Sequence, residues 1–190
     1  MCSSDLADRC DDRPEHSVHV AKLARQLFDE LQEPLGFEPE WRRYLEFAAL
    51  LANVGVVVSH AKHHLLSYYL IRNSELMGLT DREIELVAQI ARYHRKSVPK
   101  PEHTEFAALS TADQRLVRNL AAILRVAIGL DRTYDARVKS VEVAVSAGEL
   151  TVEVTPRGKK ADVSLNLYAA NERKGLLVDV SRRKVKFVED

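Results

Sequence analysis

Two cysteines in 190 residues, Cys2 and Cys10, leave this chain without the means for a disulfide framework. They form no CxxC pair and no zinc-type spacing, so neither a disulfide framework nor a cysteine-held zinc is expected. Net charge is also missing: 28 Lys and Arg are offset by 28 Asp and Glu. The whole molecule therefore has no bias toward nucleic acid or acidic membranes, and any anion site must come from local clustering. No segment approaches the ~18 consecutive apolar residues of a membrane span. The opening Met1-Cys2-Ser3-Ser4-Asp5 has no basic start and no apolar run of the signal-peptide kind, so a reduced, cytoplasmic setting is the expectation. Internal repeats, low-complexity tracts and nucleic-acid motifs with interleaved aromatics are absent too.

What is present suits a globular protein. Hydrophobic residues make up 46% and charged ones 29%. The length allows one compact domain, or one with a small appendage, burying roughly 70% of the unfolded chain's surface. From Glu15 to Leu31, apolar positions Val18, Val20, Leu23, Ala24, Leu27, Phe28 and Leu31 recur at threes and fours, one face of a helix. Pro14 suits its first turn, and Pro34 and Gly36 end it. Pro39 opens a second helix running up to Gly55, and the apolar Val54 to Val58 predicts a deeply buried corner. A third helix is expected over about His60 to Asn73. Thr80 with Glu83 forms a capping box for a fourth, which carries Ile84, Val87, Ala88, Ile90 and Ala91 toward His94. After a loop marked by Pro99 and Pro101, Ser110 or Thr111 caps a long helix to about Tyr134. Phe47, Tyr68 and Tyr69 read as core, and Asp131 with Arg132 as a local ion pair or cap.

The pattern changes after Arg137. Val141, Val143 and Val145 alternate, as does Leu150 to Val154, with Ala147-Gly148 between: a hairpin. Asp162 to Lys174 is compatible with strand or helix, and Val185 to Val188 reads as a last short strand. The fold class is α+β, with a mainly helical bundle at 1–135 and a small α/β domain at 136–190.

Three stretches carry a resemblance. Glu15-His16-Ser17-Val18-His19-Val20-Ala21 leads to Leu27-Phe28-Asp29. Ala48-Ala49-Leu50-Leu51 passes through Gly55 to Ser59-His60, Lys62-His63-His64 and Ser67-Tyr68-Tyr69-Leu70-Ile71. Arg92-Tyr93-His94-Arg95-Lys96 is followed by Leu124-Arg125-Val126-Ala127 and Leu130-Asp131-Arg132. In order and spacing these resemble the C-terminal region of the exopolyphosphatase and guanosine pentaphosphate phosphohydrolase family. The resemblance implies a helical domain of the HD type, then a small α/β domain with 162–174 helical. It further implies a homodimer, a role in holding long polyphosphate, and catalysis carried by actin-like domains, whose glycine-rich phosphate loops this sequence lacks.

An HD-type centre binds divalent metal through imidazoles and carboxylates. By the resemblance its ligand positions here are His16, Ala52, Asn53, Leu66 and Ile128, of which only His16 matches. No cofactor and no metal are therefore expected. His60, His63 and His64, at helical offsets of three and four, are compatible with a zinc site, an anion-contacting face or plain core-edge histidines. Arg92, His94, Arg95 and Lys96 stand where a helix ends. There they either complement the helix dipole or present forks to a phosphate-rich anion, joined by Lys62 and the 60–64 histidines if the helices pack side by side. Replacing Arg92 and Arg95 is then expected to abolish polyphosphate binding. Arg157-Lys159-Lys160 and Arg182-Arg183-Lys184-Lys186 read as solvated turns and edge charges. The functional expectation is a non-catalytic polyphosphate-binding or dimerising module. The alternative is a part of an active exopolyphosphatase whose catalytic domains lie outside this chain. Neither membrane nor nucleic acid is expected as a partner.

Overall fold

A computed structural model describes residues 10–190. Helix α1 (Pro14–Leu35) begins with proline at its first position, where the missing N–H has no intrahelical partner to lose. It ends on Gly36, whose φ of 63° allows the left-handed cap that closes on the carbonyls of Gln32 and Glu33. Helix α2 (Trp41–Leu51) leads into a 3₁₀ turn (Val54–Val57), followed by α3 (His63–Arg72) and α4 (Asp81–Arg92). In α4 the expected capping box is present in both directions between Thr80 and Glu83. A short α5 (Thr104–Ala107) precedes the central α6 (Thr111–Leu130), capped by Ser110 onto the Asp113 amide.

The chain then forms β1 (Val138–Val145) and β2 (Glu149–Pro156), followed by α7 (Ser164–Arg173), α8 (Gly175–Ser181) and β3 (Lys184–Glu189). Strands β1 and β2 are antiparallel, as a hairpin requires, and β3 joins β2 in parallel, so α7 and α8 supply the crossover. The 162–174 stretch is thus helical at its centre. The α+β class stands: a helical bundle followed by a three-stranded sheet. Among the described residues no helix is long and apolar enough to cross a membrane.

The core is continuous across residue 136. Leu23, Leu27, Phe28, Leu86, Ile90, Leu120 and Ile123 are buried with the sheet residues Val138, Leu150, Val152 and Val154 in one cluster. Two glycines set the close approaches. A Cβ on Gly129 of α6 would lie 2.6 Å from Ala170 Cα, so α7 packs directly on the α6 backbone. A Cβ on Gly55 would lie 2.3 Å from His63 O, so the start of α3 rests on the 3₁₀ turn. Ser67 locks that contact: its buried hydroxyl donates to Ala52 O at 2.8 Å and accepts from the Gly55 amide at 2.9 Å.

Several sequence expectations need correction. Helix α2 stops at Leu51, and the 54–58 patch is only half a buried corner: Val54 and Gly55 are buried, whereas Val57 and Val58 are exposed. Helix α3 starts at His63, because Lys62 takes a left-handed φ of 57°; His60 precedes the helix and shares no helical face with His63. Tyr69 is 63% exposed, and α6 ends four residues before Tyr134. Cys10 is half-buried, and Cys2 lies outside the described residues.

Candidate anion-binding cleft

Helix α6 ends at Leu130, and its C-cap residue Asp131 is fully buried. Of the expected ion pair or cap, Asp131 takes the cap position and does not pair with Arg132. His16 Nδ1, on the first turn of α1, donates to Asp131 Oδ2 at 2.6 Å, and the Ala136 amide donates to Oδ1 at 3.1 Å. His19 Nε2 lies 3.9 Å from Oδ1, with its pKa lowered by burial against the pull of Asp131. A buried carboxylate left unpaired is costly, so these donors are what keep Asp131 tolerable inside. The pair also fixes the His16 ring, which packs at a tilt against Tyr134 with ring centroids 4.4 Å apart.

His16 lines a cleft whose two lobes share His16, Asn53, His63 and Tyr134. The outer lobe, about 210 Å³, adds Asp12, Arg13, Val56 and His60. The inner lobe, about 220 Å³, adds His94, Arg95, Ile128, Arg132 and Arg173. Each cation reaches it for a different structural reason. Arg95 follows the end of α4, where the Arg125 guanidinium donates to Tyr93 O at 2.9 Å and Lys96 O at 3.2 Å and so pins the loop. Arg132 follows the end of α6, and Arg173 closes α7, brought there by the Gly129–Ala170 contact. Among the described residues, none of the three guanidinia is within ion-pair distance of a carboxylate. Arg173 has its pKa lowered by burial and then by Arg132, with Arg95 contributing, which means that the cations repel one another.

Beside them sits a histidine group. His63 and His94 meet with their Nε2 atoms 3.3 Å apart and ring centroids 5.3 Å apart, and His64 packs edge-on to both. The Arg95 Nη1 atom is 3.0 Å from Nδ1 and 3.3 Å from Nε2 of His63, so it lies over that ring rather than at either lone pair. Burial holds His94 at a pKa of about 3 against the opposing pull of its bond to Ala91 O, with His63, His64 and Arg95 adding to the lowering; burial and Arg95 hold His64 at about 4.

The sequence-predicted residues thus divide. His63, His94 and Arg95 converge in the inner lobe, and His60 lines the outer one. Arg92 turns away: it pairs with Glu105 at 2.8 Å and lies over the Tyr68 and Tyr93 rings, half-buried and neutralised. Lys62 and Lys96 are exposed at left-handed positions outside the cleft lining. Missed by sequence reasoning were Arg132, Arg173 and the Asp131 partnership. The one available signal was the Gly129 and Ala169-Ala170 pairing of small residues, which announces a close helix contact without saying what it delivers.

Of the positions that the HD resemblance assigns to metal ligands, His16, Asn53 and Ile128 do line this cleft. Ala52 is buried, and Leu66 packs at Gly55. Alanine, leucine and isoleucine have no donor atom, Asn53 offers a neutral amide, and three guanidinia share the space. Among the described residues, no three His, Cys, Asp or Glu side chains gather as a metal would need. The residues present fit an anion better than a divalent cation.

Similarity to known proteins agrees with the resemblance. The guanosine-5'-triphosphate,3'-diphosphate pyrophosphatase of Vibrio parahaemolyticus is 26% identical over 151 residues, covering 78% of this chain and 29% of that protein. That of Aeromonas hydrophila is 30% identical over 121 residues, 60% of this chain and 23% of that protein. The Pseudoalteromonas translucida protein is 25% identical over 115 residues, covering 60% and 22%. The chain therefore spans under a third of the length of these relatives. The family model described as Ppx/GppA phosphatase, domain III, matches residues 5–169, most of the chain. This chain belongs to the Ppx/GppA phosphatase family and corresponds to its domain III.

Proposed function

We propose that this chain is a binding module that holds polyphosphate or a related phosphate polyanion in the cleft between α1, α3, α6 and α7, and performs no phosphoanhydride hydrolysis by itself. The observation that carries the reading is the meeting of Arg95, Arg132 and Arg173, none of them paired to a carboxylate among the described residues, around a space lined also by His16 and His63. Unpaired guanidinia at close quarters repel one another. An anion that accepts from their N–H forks relieves that repulsion while gaining bidentate hydrogen bonds. The nearest buried carboxylate, Asp131, is occupied by His16 and Ala136. The outer-lobe Asp12 is exposed and opposes the anion only at the mouth. Arg92, committed to Glu105, drops from the binding set, and Lys62, Lys96, His60 and His64 are left to peripheral roles.

The test is retention of long-chain polyphosphate by the purified chain at low and at physiological salt. Binding is expected to weaken steeply with salt, because its source is electrostatic. The Arg95→Ala, Arg173→Ala double variant is expected to lose it. Equal retention by wild type and double variant contradicts the reading.

A second reading rests on length. The matched relatives are more than three times longer than the stretch they share with this chain. In that reading the module serves an exopolyphosphatase whose actin-like catalytic domains lie outside this sequence, and the chain pairs as a homodimer. Neither reading expects phosphate release from polyphosphate by the chain alone; release by separately supplied actin-like domains that rises when this chain is added favours the second, and no change favours the first. Mass in solution tests the pairing.

A further inference from the structure

His63 and His94 present an unsettled piece of hydrogen-bond accounting. His94 Nδ1 lies 2.7 Å from Ala91 O, and a carbonyl only accepts, so the proton of neutral His94 sits on Nδ1. His63 Nδ1 lies 3.1 Å from His60 O, which by the same argument places its proton on Nδ1. Both Nε2 atoms are then bare acceptors, and they face each other at 3.3 Å. The rings are inclined by only 21° with centroids 5.3 Å apart, so the two lone pairs point head-on. Two buried acceptors in that arrangement lack one thing, a proton between them.

What withholds the proton is also in view. His94 is fully buried, and the Arg95 guanidinium lies over the His63 ring. His64 faces both rings, with Arg92 and Lys96 acting on it at longer range. At His63 the His60 carbonyl and Asp12 favour the charged form, while the His60 ring joins Arg95 in opposing it. In the free protein the balance lies against a further positive charge. A phosphate anion among Arg95, Arg132 and Arg173 reverses the sign of the field at the pair.

We infer that anion binding in the cleft is accompanied by uptake of one proton, shared between Nε2 of His63 and Nε2 of His94. This rests on the proposed anion site and adds its regulation: the bound state is more basic at this pair than the free state, so affinity rises as pH falls. Bond counting is simple. One N–H forms, no covalent bond breaks, and solvent supplies the proton.

Calorimetric titration of the chain with long-chain polyphosphate, whose interior groups do not titrate near neutrality, reads the linkage directly. Run at pH 6.5 in buffers of different ionisation enthalpy, the slope of observed heat against buffer enthalpy counts protons. We expect approach to one proton per site, and affinity increasing by up to tenfold per pH unit below 7. His94→Gln should bind without uptake, whereas His103→Gln, which alters an imidazole outside the cleft beside Tyr93, should retain it. Should His94→Gln fail to fold, imidazole nitrogen NMR of wild type serves: ligand must convert both Nε2 signals from the bare to the proton-sharing type. Binding by wild type with no uptake, or uptake that survives in His94→Gln, overturns the inference and leaves the anion site standing. Absence of polyphosphate binding at every pH removes both.

Discussion

The molecule carries two kinds of basic region, and they differ in how their charges are assembled. At residues 157–160 and 182–186 the cations are neighbours in sequence, in a turn after β2 and around the start of β3, with Lys186 already satisfied by Glu149 at 2.8 Å. In the cleft, Arg95, Arg132 and Arg173 come from three separate parts of the chain and meet without a carboxylate partner among the described residues. Charges clustered along the chain are easily solvated and cost little. Charges brought together by packing must be held by the fold against desolvation and their own repulsion, and Arg173 shows both, its pKa lowered first by burial and then by Arg132 and Arg95. On the function proposed above, it is the second kind of arrangement that receives the ligand.

The sharpest way to break this contrast is to attack the packing that assembles the cleft. Gly129→Val drives a side chain into the α7 backbone at Ala170, where even a single carbon has no room. Overpacking against backbone should destabilise the chain by about 3 kcal/mol or more, read from urea unfolding. It should also displace Arg173 and weaken anion binding. A loss under about 1 kcal/mol would mean that α7 is not seated as described.

Next in size is the effect of acid. His94 is held at a pKa of about 3, below its value of about 6.5 in the unfolded chain. The unfolded state therefore binds more protons between those values, so stability is full above pH 6.5 and falls as pH drops toward 3. For His94 alone the loss between pH 7 and pH 5 is about 2 kcal/mol, and His64 and His63, also lowered, add to it. Urea midpoints at the two pH values check this, and His94→Gln should flatten the dependence.

Smaller again is the single-site effect on binding. Arg95→Ala or Arg173→Ala should each weaken polyphosphate binding about tenfold, roughly 1.4 kcal/mol. Lys159→Ala with Lys160→Ala should change it less than about twofold at physiological salt. The least effect is expected at Arg92. Losing its pair with Glu105 should cost about 1 kcal/mol of stability or less and leave anion affinity unaltered.

Arg92 and Arg95 also show where sequence was legible and where it was not. What depends on near neighbours was readable: the Thr80–Glu83 box, Pro14 and Gly36 at the ends of α1, and the valine alternation of the hairpin all appear as expected. The meeting of His63 with His94 and Arg95 followed from the resemblance, although the helical spacing offered for His60 was wrong. Arg92 was misread because its partner Glu105 stands beyond a proline-containing loop, on a four-residue helix with no periodic signal. Arg173 was invisible for the converse reason. Its position depends on α7 crossing α6 at Gly129, and no local pattern around 173 encodes what lies 44 residues earlier.

The central claim is that the guanidinia gathered by packing, and not the basic turns, form the anion site. A crystal of the chain soaked with tripolyphosphate tests it most directly. Phosphate density is predicted among Arg95, Arg132 and Arg173, within reach of His16 and His63. Ordered phosphate at residues 157–160 or 182–186, with none in the cleft, would contradict it.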